Sequence, residues 1–171
     1  VLKNVEKERE DLWGNTQTAE NAAIIAKNNE GITKLEKKVE DARTYYQNAV
    51  AEVNKYRNAE FFKAKKTTTD ADKLAVTKFA EDIKTLYDYS LEMETALAEA
   101  KNVRDASNTE VVNNKPTAKL VDFTTYNATV DAKIKAIEDA LKASKKEAND
   151  IAKKHYTFTD KSTWPMIIGA L

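Results

Sequence analysis

Cysteine is absent from all 171 residues of this chain. Disulfides, thiolate nucleophiles and cysteine-based metal sites are therefore excluded. The absence also suits an exported chain and favours an extracellular or cell-surface setting. Histidine occurs once, at His155, too few for a zinc site or for the two Glu-x-x-His pairs of a di-iron bundle. There are three glycines and two prolines, so little interrupts a helix. Lysine plus arginine number 28, as do aspartate plus glutamate. A net charge of zero supplies no long-range attraction to nucleic acid or to anionic lipid, and no nucleic-acid partner is expected. No glycine-rich phosphate loop and no nucleophile motif occurs, and no cofactor is expected.

What the chain does contain is a seven-residue apolar repeat. Ile25, Ile32, Val39, Tyr46 and Val53 are each seven apart, and Leu35, Ala42, Ala49 and Tyr56 follow four of them by three. Such an a/d seam buries itself against other helices. A second seam runs through Val76, Phe79, Ile83, Leu86, Met93, Leu97 and Ala100, with Ser90 on the same face. A third joins Phe123, Val130, Ile137 and Ile151 to Ile134, Leu141 and Ala148. With charged residues at 33% and abundant Ala, Glu and Lys, the expected fold class is all-α: an elongated antiparallel three-helix bundle with coiled-coil-like heptad packing. A four-helix bundle completed by the N-terminal segment or by a second chain is its rival.

The spacing sets provisional boundaries. Residues 1–15 read as a short, charged N-terminal helical segment, stopped at Gly14-Asn15 and restarted near Thr16 or Thr18. The bundle proper is expected over residues 16–156. Its first helix runs from about Thr18 to Lys66, where Thr67 to Thr69 end it, and overhangs the others. Asp70 is the expected N-cap of the second helix, which fades near Ala106 to Asn108. Asn113, Asn114, Lys115 and Pro116 read as a turn, and the third helix as running from about Ala118 to His155. Gly31 and Asn28 weaken the first seam, Gly31 by about 1 kcal/mol relative to alanine. Asn28 reads as a register-setting polar layer.

Residues 157–171 form an apolar tail, and its last eight carry no charge. Eight residues cannot span a membrane, which needs about 20. Three arrangements are open: folding back over the bundle end, docking into a neighbouring subunit, or leading into a membrane helix removed by trimming. The start at Val1 rather than methionine implies a processed or trimmed chain, from which any targeting peptide has gone. His155-Tyr156, then Ser162-Thr163-Trp164-Pro165 and Gly169-Ala170-Leu171, resembles the entry to the first transmembrane helix of subunit III of haem-copper cytochrome oxidases. That resemblance implies a soluble helical extension or stalk on a respiratory membrane subunit. It carries over no metal ligand, because that subunit holds neither haem nor copper.

The functional expectation is a non-enzymatic interaction protein: a structural subunit, a surface binding module or a scaffold. Its partner would be a protein or a second copy of itself, and any membrane attachment would run through the C-terminal end. The candidate partner-binding residues are Trp164, Pro165, Met166, Ile167, Ile168 and Leu171 of the tail, with Tyr45, Phe61, Phe62 and Tyr89 on the helices. Tyr45 and Tyr89 each sit beside a seam position, and of the adjacent Phe61 and Phe62 one must face away from any single core. Rigid aromatic rings outside a seam suit anchoring a partner. His155 reads as a cation favoured at a helix C-terminus. The interleaved Glu36, Glu40, Lys34, Lys37 and Lys38 read as a solvated face. The sequon Asn127-Ala128-Thr129 falls on the expected core face and is discounted.

Overall fold

A computed structural model of the chain describes residues 2–59, 69–113 and 119–155. These residues are all-α, with helices packed on one another and no strand among them. Helix α1 spans Leu2–Arg57, α2 spans Asp70–Val112 and α3 spans Thr124–His155.

The expected break at Gly14-Asn15 does not occur, and α1 passes through it. One glycine costs about 1 kcal/mol, too little to stop a helix whose neighbouring turns are rich in Glu, Lys and Arg. At its other end α1 stops at Arg57 rather than near Lys66. The Asn58 amide donates to Asn54 O and the Ala59 amide to Tyr56 O, a final turn that tightens to 3₁₀ spacing. The apolar seam ends at Tyr56, so a longer helix would gain no further burial from it.

The cap of α2 is Thr69, not Asp70. The Asp72 amide donates to Thr69 Oγ1 at 3.2 Å, and the Thr69 amide donates to Asp72 Oδ2 at 2.8 Å. This reciprocal pair is a capping box with aspartate in the third helical position. Helix α2 continues past Asn108 to Val112 because Val111 is buried and its carbonyl accepts a hydrogen bond from Asn21 Nδ2 at 3.2 Å. Helix α3 begins at Thr124, later than expected. The Thr124 amide donates to Asp122 Oδ1 at 2.9 Å. Hydrogen bonds from the Thr124 side chain and amide hold the Asp122 carboxyl below its ordinary value.

The chain divides into two compact units. Unit 1 comprises residues 1–38 and 95–128. Its core contains Ile32 and Leu35 from α1 with Leu97, Ala100 and Val111 from α2. Partners rise along α1 as they fall along α2: Asn21 meets Val111, Asn28 meets Ser107, and Glu36 meets Lys101. The two helices are therefore antiparallel in this unit.

Phe123, expected inside the third helix, instead precedes it and lies over Gly31. A Cβ on Gly31 would come within 2.3 Å of Phe123 Cε2. The glycine that weakens the seam by propensity is thus the seat of an aromatic ring. Gly31→Ala should lower stability by about 1–2 kcal/mol, because displacing a packed ring outweighs the gain in helix propensity. In a Phe123→Ala background the same change should stabilise by about 1 kcal/mol. Thermal melts of the four proteins test this, and an effect of one sign in both backgrounds would refute the steric account.

Unit 2 comprises residues 39–94 and 129–171. Its core contains Val39, Ala42, Ala49, Val53 and Tyr56 of α1, Phe79, Leu86 and Met93 of α2, and Val130, Ile137, Leu141 and Ala148 of α3. All twelve are seam residues of the sequence. Arg43 pairs with Glu94, and Tyr56 packs on Phe79, so α1 and α2 are antiparallel here too. Lys133 meets Glu92, Ser144 Oγ donates to Asp82 Oδ2, and Lys78 pairs with Glu147, so α2 and α3 are antiparallel.

Candidate interaction surface

Two arrangements beyond apolar packing stand out, and each lies within one unit. The first is a polar node in unit 1. Asn28 is 1% exposed. Its Nδ2 donates to Ser107 Oγ at 3.1 Å and to Asn108 Oδ1 at 3.0 Å. Its Oδ1 accepts from the Val121 amide at 2.9 Å. Ser107 Oγ in turn donates to the Lys119 carbonyl at 2.7 Å. One side chain of α1 is therefore bonded to α2 and to the segment leading into α3. Each of its polar atoms has a partner, so the node fixes structure rather than presenting free valences. Nearby, Asn127 accepts from Lys38 Nζ at 3.0 Å and donates to the Phe123 carbonyl at 3.0 Å. The amide of the sequon is thus engaged within the fold.

The second arrangement is a set of tyrosines in unit 2. Tyr45 on α1 is exposed, within the electrostatic influence of Glu138 of α3. Partial burial, with the charges of Glu138 and Glu52, raises its phenol above the ordinary value. Tyr46 is half-buried, and its phenol is raised by burial and by the electrostatic influence of Tyr87 on α2. Tyr89 on α2 is half-buried, and Lys133 Nζ of α3 stands 5.2 Å from its ring centre. The same ammonium pairs with Glu92 at 2.5 Å. This is a cation held by a ring and a carboxylate together.

Tyr45 and Tyr89 do not form one patch. Their α3 neighbours, Glu138 and Lys133, are five positions apart, about 140° around the helix. Phe61, Phe62 and the tail residues Trp164, Pro165, Met166, Ile167, Ile168 and Leu171 lie outside the described residues.

The structure adds two residues that lie outside the seams. Tyr87 and Leu91 are 50% and 46% exposed. They stand one turn apart on α2, each one place beyond a seam position. An apolar pair at i and i+4 outside the seam is the sequence signal that marks them. With Tyr45 and Tyr46, Tyr87 offers apolar area and a hydroxyl, as protein-binding anchors do.

Other groups are committed internally. Tyr56 is buried, and burial, together with the Glu52 carboxylate that accepts from its hydroxyl, raises its phenol strongly. Ser144 is buried on Asp82. A shallow depression lined by Asp105, Asn108, Thr109, Val112 and Asn113 follows one face of α2 in unit 1. Among the described residues, no three His, Asp or Glu side chains gather closely enough to hold a metal ion. Among the same residues, no helix is long and apolar enough to cross a membrane. No protein family, no curated protein and no solved structure matches this chain.

Proposed function

We propose that this chain is a non-enzymatic helical-bundle interaction protein, acting through its helix faces and through docking of the tail from Trp164 to Leu171. The observation that carries the reading is the set of partly exposed tyrosines on the helices of unit 2. Large rigid rings lose little conformational entropy on binding and supply much contact area, which suits them to recognition of a protein surface. The proposal includes the finer architecture, a three-helix bundle with heptad packing. Burial of most of the a and d positions on the described helices supports it, as does the antiparallel order of contacts within unit 2. An Asn in the seam, buried and bonded across helices, fits the same scheme, since heptad proteins use such layers to set register.

Light scattering on the intact chain and on a Trp164→Asp, Ile167→Asp variant tests the docking role of the tail. The variant should keep its helicity by circular dichroism and lose solution mass relative to the intact chain. Equal masses would remove the tail from the mechanism.

A further inference from the structure

We propose that the outer ridge of α2 in unit 2 is a self-association surface, occupied by the same ridge of a second copy running antiparallel about a two-fold axis near Tyr87 and Asp88. The proposal rests on the reading that these helix faces recognise protein, and it names the partner. Lys84, Tyr87, Asp88 and Leu91 follow one another at i, i+3, i+4 and i+7, the spacing of a single ridge on a helix surface. All four reach solvent. Tyr87 and Leu91 are about half exposed, and the Lys84 and Asp88 side chains are 76% and 49% exposed.

The charges on the ridge select the occupant. Lys84 Nζ bonds Asp88 Oδ2 at 2.9 Å along the helix, which leaves a cation at one end of the ridge, a carboxylate at its middle and Leu91 at the other end. A two-fold axis through the middle sets Lys84 of each copy opposite Leu91 of the other. The lysine methylenes then cover the leucine, and the ammonium reaches Asp88 of the opposite copy. The pair within the helix is exchanged for a pair between copies, so no charge is left unmatched. Tyr87 packs near the axis against its own counterpart. A chain of zero net charge adds no long-range repulsion between copies.

Sedimentation velocity on the full chain across the micromolar range tests the proposal. The expected result is concentration-dependent self-association that persists as a dimer in the Trp164→Asp, Ile167→Asp variant, where tail docking is removed. Leu91→Glu should weaken it at least about tenfold, or about 1.4 kcal/mol. Lys84→Glu should weaken it by placing two carboxylates together, and adding Asp88→Lys should restore it, since the reversed pair is again self-complementary. All of these positions are exposed or half-exposed, and unchanged thermal melts confirm that the fold survives. A monomer at every concentration overturns the proposal, as does a dimer that ignores Leu91→Glu. If the Trp164→Asp, Ile167→Asp variant loses mass while the ridge variants do not, association runs through the tail. The interaction reading then stands and the ridge pairing fails.

Discussion

Phe79→Ala should lower the stability of the chain by about 3–5 kcal/mol, the cost of emptying a fully enclosed aromatic site. Phe79 is 0% exposed and belongs to the core of unit 2. Its ring centre lies 6.0 Å from that of Tyr56 at an interplanar angle of 53°. That tilted geometry contributes about 0.5–1.5 kcal/mol beyond the area buried. The Tyr56 hydroxyl donates to Glu52 Oε2, which is paired with Lys145 at 3.1 Å, so collapse of its ring into the space would also break this contact. For a chain of this size the loss corresponds to a fall in Tm of about 10 °C. Tyr56→Phe keeps the ring and removes only a long, 3.4 Å hydrogen bond, so it should cost less than about 1 kcal/mol. Urea denaturation of both variants checks the pair, and a small effect of Phe79→Ala would mean that the core closes over the cavity.

Asn28→Ala should cost about 2–4 kcal/mol for a different reason, the stranding of polar groups. The Val121 amide loses the acceptor that it finds at Asn28 Oδ1, while Ser107 Oγ and Asn108 Oδ1 each lose a donor. Asn28→Leu restores the volume and leaves the same groups stranded, so it should be destabilising as well. Amide hydrogen exchange should localise the change to Val121, whose protection falls in both variants. A leucine variant as stable as the parent would show that the node governs register alone, as buried polar layers do in some helical proteins.

The contrast between these two sites shows how much of the molecule is legible in the sequence. Phe79 is identified by spacing alone, because a side chain that recurs every three or four positions must share one face of a helix. Asn28 is half legible. Its place in the seam marks it as a polar layer, but its partners Ser107, Asn108 and Val121 are 79, 80 and 93 residues away, and no local rule pairs them. Gly31 is misread by propensity, since its role comes from Phe123, a residue of a distant segment. Helix ends are the least legible. Gly14 reads as a stop and is not one, while Thr69, rather than the better-known capping choice Asp70, closes the box with Asp72.

The candidate surface divides in the same way. Tyr45 and Tyr89 are marked by their places beside the seams, yet the seams do not reveal the charges that act on them, Glu138 on Tyr45 and Lys133 over the Tyr89 ring. Tyr87 and Leu91 emerge only when exposure is known. By itself, then, the sequence determined the helical class, the buried rows and the exclusion of cysteine chemistry, because composition and periodicity act within one helix. Only the tertiary structure decided where the helices end, what Gly31 and Asn28 hold, and which aromatic rings reach solvent. Those outcomes depend on which segments meet across the chain, and a period of seven specifies a face without naming its partner.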